Sequence, residues 1–339
     1  MTIEIPDISK QIYKESIYQI LEKRYSTLGP MWVTHQMEWS NGVYASFKDH
    51  DKYLIVIYLI KKTLDFYSRN FTKLSYDQFY SMEAVVIEKI NITEISLALK
   101  IPKESTRRKV IELEKDGVIK KINKKIIIDR SGYYYSKPIN SVKRISRFLS
   151  TLSEMCENDN ILQKKLPSKE LEIVIKKNFS YIWKIYYEIQ IPMMINYKKI
   201  FNDFETFHIF GTCIVNQHIY AKKMSENYMN RDDFFESMFT LKPMQGLNAM
   251  SISDITGIPR ATVIRKLQKL IKNKNLQIDN KKHYRIRRDS TKILLSSQKD
   301  VLVKLANFSA QIFNLTILDK KLTEQEKKTP FSFPVGKFF

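Results

Sequence analysis

Glycine is scarce in this chain, and the scarcity excludes one large class of proteins. Only 8 of the 339 residues are glycine, and the closest two, Gly246 and Gly257, lie eleven positions apart. Loops that bind phosphate groups need several glycines close together, because backbone amides must approach the phosphate without a side chain in the way. Walker-type and dinucleotide-binding folds are therefore excluded.

Cysteine and histidine are also rare. The two cysteines, Cys156 and Cys213, are too few for a disulfide framework or a cysteine-based zinc site, and they suit a reducing intracellular environment. The five histidines show no spacing typical of metal ligands. The sequence contains no nucleophile elbow or other catalytic signature. We therefore expect no metal, no cofactor and no enzymatic activity.

Long apolar runs are missing as well. The amino-terminal residues MTIEIPDISK lack the basic-then-apolar pattern of a secretory signal. The longest uncharged apolar run, Thr206–Ala221, contains two histidines, an asparagine and a glutamine, and is too short to cross a bilayer as a helix. We therefore expect a cytoplasmic protein with no membrane association.

Positive charge is abundant and unevenly distributed. The chain has 57 Lys and Arg against 36 Asp and Glu, a net charge of +21. Such an excess favours a polyanionic partner, although the codon bias of an AT-rich genome also enriches lysine. Two short segments, 103–125 and 260–288, carry net charges of +5 and +10. Codon bias would spread charge over the whole surface, so this concentration favours contact with nucleic-acid phosphates.

The chain contains an internal repeat. Residues 91–125 align with residues 248–282 without a gap, and 12 of the 35 positions are identical. The similarity continues for a few residues upstream and along one apolar helical stripe downstream. At about 100–200 residues per domain, the length also suggests two domains. The sequence therefore predicts a first repeat over 1–157, a second repeat over 158–318 and a flexible C-terminal tail over 319–339.

Each copy has the pattern of two helices joined by a tight turn and followed by a two-stranded hairpin. In the second copy, the first helix spans Ala249–Thr256, and Gly257 suits the left-handed turn after it. Pro259 suits the first turn of the second helix, and alternating residues around 279–281 predict the hairpin. The same parse of the first copy predicts helices over Thr93–Leu99 and Pro102–Lys115 and strands over Val118–Ile122 and Lys125–Asp129.

The turn and second helix of the second copy resemble a known family. Residues 257–267, GIPRATVIRKL, are similar to the recognition-helix entry of bacterial winged helix-turn-helix transcriptional regulators of the MarR, IclR and GntR types. Residues 101–110 match less closely, because Lys100 replaces the turn glycine and Thr106 replaces the usual aliphatic residue. The resemblance covers roughly one third of the chain, in two pieces.

The resemblance implies a fold and a set of contact residues. The expected fold is mainly α, with two winged helix-turn-helix units over about 76–131 and 232–288. Each unit would carry a small β-hairpin wing, and long helices around them would form a pseudo-two-fold, dimer-like body. In this family the second helix enters the major groove and the wing contacts the backbone or minor groove. By position, the base-reading candidates are Lys103, Glu104, Ser105, Arg107, Arg108, Arg260, Ala261, Thr262, Ile264, Arg265 and Lys266. The backbone-contact candidates on the wings are Lys121, Asn123, Lys124, Lys125, Asn280, Lys281, Lys282 and Arg285.

These features predict a sequence-specific regulator of transcription that binds double-stranded DNA on the nucleoid. One chain would act as an intramolecular pseudo-dimer, with further dimerisation left open, and the differing reading positions predict two unequal half-sites. The aromatic-rich helices outside the repeated motif leave room for a small effector molecule. Two alternatives stay open: a plasmid- or phage-type replication initiator with two winged-helix units, and a winged-helix module that contacts other proteins.

Overall fold

The computed structural model describes residues 11–87, 91–122, 125–129, 137–224, 228–240 and 246–328. Helices account for most of these residues, and the described strands form two small antiparallel sheets. The prediction of a mainly α chain is therefore confirmed.

The helices follow the same order in both halves of the chain. In the first half the elements are α1 (Lys14–Lys23), α2 (Tyr25–Phe47), α3 (His50–Arg69), α4 (Tyr76–Ser81), β1 (Ala84–Ile87), α5 (Ile92–Leu99), α6 (Lys103–Lys115), β2 (Ile119–Ile122), β3 (Lys125–Asp129) and α7 (Ile139–Asn158). In the second half they are α8 (Ser168–Lys177), α9 (Phe179–Phe201), α10 (Phe204–Met224), α11 (Arg231–Thr240), α12 (Ala249–Thr256), α13 (Arg260–Lys272), β4 (Leu276–Ile278), β5 (Tyr284–Ile286) and α14 (Thr291–Lys328).

The first three helices of each half are equivalent, although the sequence alignment does not reach them. α1 and α8 each have 10 residues, α2 and α9 each have 23, and equivalent helices begin 154 positions apart. Both α2 and α9 end on a residue in the left-handed conformation, Lys48 with φ 53° and Asn202 with φ 68°. The structural repeat therefore begins at α1.

The two halves pack against each other through reciprocal contacts. α2 of the first half packs against α10 of the second, and α9 of the second packs against α3 of the first. In the same way, α1 packs against α14 and α8 packs against α7. The buried residues of all these helices belong to one continuous apolar core. Each half therefore completes the core of the other.

Two equivalent serines tie the halves together with equivalent hydrogen bonds. Ser26 donates its backbone N–H to Met229 O at 3.1 Å, and its Oγ accepts from Met229 N at 2.9 Å. Ser180, the residue of α9 equivalent to Ser26, makes the same two bonds with Leu74 at 3.0 Å and 2.9 Å. The contact between the halves is thus the same in both directions.

The sheet of the first half contains a strand that the sequence pattern did not reveal. β1 and β2 pair with opposite sides of β3, so that Ile128 lies opposite both Val85 and Ile119. In the second half β4 pairs with β5, and a single bridge joins Leu247 to Tyr284. β1 has only 4 residues, which is too few to show a clear alternation.

The last helix is long and apolar. Leu294–Leu318 of α14 is the one stretch of the described chain with the length and composition of a membrane span, and 56% of its window is buried inside the protein. It forms part of the core, since α14 packs against α1, α8 and α9. α14 also runs through residues 319–328 of the predicted tail, and residues 329–339 lie outside the described chain.

Four buried histidines lie where the halves meet. His35 Nε2 lies 2.9 Å from the Tyr186 hydroxyl, and His208 Nε2 lies 2.7 Å from Asn41 Oδ1, each across the two halves. The ring of His50 packs against that of His208, and the ring of His218 packs against that of Tyr25. The residues at the equivalent positions of the other half are apolar: Ile189 for His35, Phe204 for His50, Leu54 for His208 and Leu64 for His218.

Burial keeps these rings neutral. It lowers the pKa of His35 to about 3, that of His50 to about 4 and that of His218 to about 3, and it lowers the pKa of His208 well below the ordinary value. In an unfolded chain a histidine has a pKa of about 6.5. Between these values the unfolded state binds more protons than the folded state, so the folded state loses stability as the pH falls below about 6.5.

We therefore expect acid to destabilise the protein well above the pH at which carboxylates titrate. Each buried histidine should cost about 2 kcal/mol of unfolding free energy between pH 7 and pH 5. The substitution His218→Leu installs the residue that the other half has at the equivalent position. It should reduce the loss of unfolding free energy between pH 7 and pH 5 by about 2 kcal/mol. Urea denaturation at the two pH values measures the difference.

The control is Leu64→Ala at the equivalent position of the first half. It creates a cavity in the core and should lower stability by about 2–4 kcal/mol, by the same amount at both pH values. If His218→Leu leaves the pH dependence of unfolding unchanged, His218 does not fold as a neutral ring.

Candidate nucleic-acid interface

The two helix-turn-helix segments have the same helix caps. Asn91 and Asn248 begin the short helices α5 and α12, and each side chain accepts a hydrogen bond from the backbone N–H three residues on, at 2.8 Å and 2.9 Å. The same helices end on left-handed residues, Lys100 with φ 52° and Gly257 with φ 69°. Gly257 adopts this conformation freely, whereas Lys100 must accept steric strain in the same turn.

A second pair of hydrogen bonds holds each turn against its short helix. Ser96 Oγ donates to Ile101 O at 2.7 Å, and Ser253 Oγ donates to Ile258 O at 2.7 Å. Both isoleucines are buried beneath the turn. The turn and both helices therefore form one rigid unit in each half.

The second helix of each unit, α6 or α13, has 13 residues and one buried stripe. The stripes consist of Thr106, Val110, Leu113, Val263, Leu267 and Leu270. Most of the predicted base-reading side chains lie outside these stripes. Exposed ones are Lys103, Glu104, Arg107, Arg108, Arg260, Ala261 and Arg265, and half-buried ones are Ser105, Thr262 and Ile264.

Lys266 departs from the prediction. Its side chain is buried at 8% exposure, and its Nζ lies 2.6 Å from Asp203 Oδ2 and 3.9 Å from Glu205 Oε2. Burial alone would raise the pKa of Asp203, but the bonds from Lys266 and Thr206 outweigh burial and hold this pKa below its ordinary range. Lys266 therefore anchors α13 to the start of α10, and it is not available to read a base.

The first half has the same anchor. Lys109, the equivalent of Lys266, forms an ion pair with Asp49, and Asp49 caps α3 by accepting from the backbone N–H of Asp51 at 2.8 Å. Asp49 and Asp203 lie 154 positions apart, whereas the two lysines lie 157 apart. The ungapped alignment of the helix-turn-helix segments contains the two lysines but not the two aspartates. It therefore did not reveal the ion pair, although the same lysine and the same aspartate occur in both copies.

The two anchors meet at one end of the helical body. His50 and Phe204 are the first residues of α3 and α10, and their ring centroids lie 4.9 Å apart. Burial raises the pKa of Glu205, and Asp203 and Asp49 both lie close enough to raise it further. One ion pair holds α6 and the other holds α13, so both helices are attached to this end of the helical body.

Some of the residues predicted to contact the DNA backbone from the hairpins lie within the described chain, and others lie outside it. In the first half, Lys121 is exposed on β2, Lys125 begins β3 with its side chain outside the description, and Asn123 and Lys124 lie outside the described residues.

In the second half the turn of the hairpin is ordered by Asp279. Asp279 Oδ1 accepts from the backbone N–H groups of Lys281 and His283, both at 2.9 Å. Asn280, Lys281 and Lys282 are exposed, and Arg285 is half-buried.

The two halves differ in how their cations are paired. In the first half, Arg107 lies 3.3 Å from Glu104, Arg108 lies 3.8 Å from Glu112 and Lys121 lies 2.9 Å from Glu114. In the second half, no carboxylate of the described residues forms an ion pair with the exposed cations Arg260, Arg265, Lys281 and Lys282. The second unit therefore presents the stronger uncompensated positive charge.

Comparisons of the chain with protein-family models, with curated proteins and with solved structures return no match.

The structure separates two neighbouring cations of α13 by role. Lys266→Ala leaves Asp203 partly buried without its main partner, and we expect it to lower the unfolding free energy by about 1–2 kcal/mol. Arg265→Ala removes an exposed side chain and should change stability by less than about 0.5 kcal/mol. Urea denaturation of both variants at pH 7 tests the assignment, and equal effects would contradict it.

Proposed function

We propose that this chain is a sequence-specific double-stranded DNA-binding regulator of transcription with two winged helix-turn-helix units. The observation that carries the proposal is the paired arrangement of two basic helices. Each lies after a tight turn and before a hairpin, each exposes the side chains opposite its buried stripe, and both are anchored at one end of the body. This arrangement suits two units that bind one face of a duplex.

The reciprocal contacts support a pseudo-two-fold relation between the halves. In a two-fold dimer the same surface is used by both partners, so each contact occurs twice. The packing of α2 on α10 and of α9 on α3, with the paired bonds of Ser26 and Ser180, has this property inside one chain. Two units related in this way would enter successive major grooves, about 34 Å apart, and read inverted half-sites.

The charge pattern supports DNA over a protein as the partner. Exposed cations without a carboxylate partner attract a polyanion strongly, because binding releases the counterions of the phosphates. Arg260, Arg265, Lys281 and Lys282 are exposed, and none of them forms an ion pair with a carboxylate of the described residues. We infer that the second unit supplies most of the affinity and that the first unit, with its internal ion pairs, contributes less.

Two arginines at equivalent positions test this difference. We expect Arg265→Ala to weaken binding to the selected DNA by about tenfold or more, because a base or phosphate contact of arginine is worth about 1–3 kcal/mol. Arg108→Ala should weaken binding less, because Glu112 already compensates part of its charge. Fluorescence anisotropy with a labelled duplex measures both affinities.

The matched control is Lys169→Ala on α8. This exposed lysine is the second residue of α8 and lies outside α6, α13 and the two hairpins. DNA affinity should not change in this variant. If Arg265→Ala and Lys169→Ala bind as tightly as the wild type, α13 is not a recognition helix.

Selection of bound genomic fragments at about 0.15 M salt tests the function itself, because phosphate contacts alone give unspecific binding in dilute buffer. The proposal predicts one enriched motif with two unequal inverted halves. Directly repeated sites would instead support a replication initiator, and uniform recovery would indicate a general DNA-coating protein. No recovery would favour a winged-helix module that binds proteins.

A further inference from the structure

A basic groove lies between α2, α7 and α10, away from the candidate nucleic-acid interface. Its volume is about 720 Å³, and it is lined by four cations, Lys143, Arg144, Arg147 and Lys222, and by one acid, Glu38. Lys222 lies 18 residues along α10 from the anchored end at Phe204, a distance of about 27 Å on a helix. The cations of the groove therefore do not belong to the surface formed by α6 and α13.

Arg144 is held in place by a buried hydrogen-bond chain. Its Nε donates to His35 Nδ1 at 3.2 Å and lies 3.0 Å from Glu38 Oε2. Burial and the charge of Arg144 lower the pKa of His35 to about 3, so the ring is neutral and Nδ1 can accept. Nε2 of the same ring then donates to the Tyr186 hydroxyl at 2.9 Å.

This hydrogen-bond chain holds the guanidinium of Arg144 through Nε, and Glu38 compensates part of its charge. Arg147, Lys143 and Lys222 are exposed, and the described residues contain no ion-pair partner for them. A positioned guanidinium with flanking unpaired cations is suited to bind a carboxylate or phosphate group.

The groove also has apolar lining residues, beside the polar residues Thr34 and Asn140. Pro30, Met31, Phe148 and Ile219 line it, and Ile219 is 44% exposed although it lies beside the core. A ligand that uses the whole groove therefore combines an anionic head with an apolar body.

The repeat-equivalent positions of the chain do not carry the same set of groove residues. The positions equivalent to Lys143, Arg144 and Arg147 carry Val303, Lys304 and Asn307, the position equivalent to Lys222 carries Ser68, and the position equivalent to His35 carries Ile189. A feature needed only to hold the repeated fold together would occur in both halves. The cation cluster and its supporting histidine are therefore not repeated at the equivalent positions of the chain.

We propose that this groove is a binding site for a small organic anion with an apolar body, whose charged head pairs with Arg144, Arg147 and Lys222. Such a ligand would bridge the halves, because Arg144 lies on α7 of the first half and Lys222 lies on α10 of the second. The site is independent of the proposed DNA contacts.

The probe for the test is 8-anilinonaphthalene-1-sulfonate, an aromatic anion that fluoresces when it binds an apolar site. Titration of the full chain should show saturable binding of one equivalent. Arg147→Ala, which removes an exposed cation, should weaken this binding about tenfold. Arg144→Lys should weaken it as well, because an ammonium lacks the planar set of donors with which a guanidinium can bond His35 and an anionic group in fixed directions. Lys304→Ala, at the equivalent position of the second half, should bind the probe as the wild type does.

Unsaturable binding, or equal affinity in all four proteins, would overturn the proposal. Competition identifies what the groove recognises: displacement by decanoate supports the anion with an apolar body, and displacement by pyrophosphate but not decanoate overturns it. Duplex DNA is the other anion that the protein is proposed to bind, and two variants separate DNA binding from binding in the groove. Arg147→Ala should bind duplex DNA normally, and Arg265→Ala should bind the probe normally, so failure of the proposed DNA binding and failure of this site are measured separately.

Discussion

The fold depends on the mutual burial of α2 and α9. Both helices bury most of their residues, from Tyr25 to Tyr44 in α2 and from Phe179 to Phe201 in α9, and leave one face of each helix partly exposed. An apolar surface this wide needs more than one packing partner, and the short helices of the same half cannot cover it alone. Each half meets this need with helices of the other half, so the two copies form one core. The reciprocal bonds of Ser26 and Ser180 follow from the same arrangement.

The lysine–aspartate anchors connect this core to the surface. In the proposed function, α6 and α13 can read DNA only if their orientation is held against the rest of the protein. Lys109 and Lys266 each join the second helix of a unit to the aspartate that caps a core helix, and the two cap sites lie side by side at His50 and Phe204. The relative orientation of the two units is therefore set by the core and not by the turns. Both lysines face inward because each pairs with its aspartate. The shared role explains why the two copies have the same residue at this position.

The two copies have kept this framework while their chemistry has diverged. The first unit compensates its cations with Glu104, Glu112 and Glu114, whereas the exposed cations of the second unit have no such neighbours among the described residues. Four interface positions carry histidine in one copy and an apolar residue in the other. The cations of the groove around Arg144 are not repeated at the equivalent positions of the chain. A single chain with two copies can specialise each copy separately, which a symmetric dimer of identical chains cannot do.

The sequence alone determined the features that depend on neighbouring residues. Helix caps, the turn before Pro259, the stripe of Val263, Leu267 and Leu270, and the hairpin after α13 all arise from local periodicity and turn chemistry, and the structure contains each of them. Features that depend on contacts between residues far apart in the chain were decided only by the tertiary structure. The family resemblance placed Lys266 among the base-reading residues, but the ion pair with Asp203, 63 positions away, holds its side chain in the interior. In the same way, β1 exists because β3 offers its edge, and the first three helices reveal their equivalence only through the packing that buries them. Such contacts join residues far apart in the chain, so no window of sequence contains the information that specifies them.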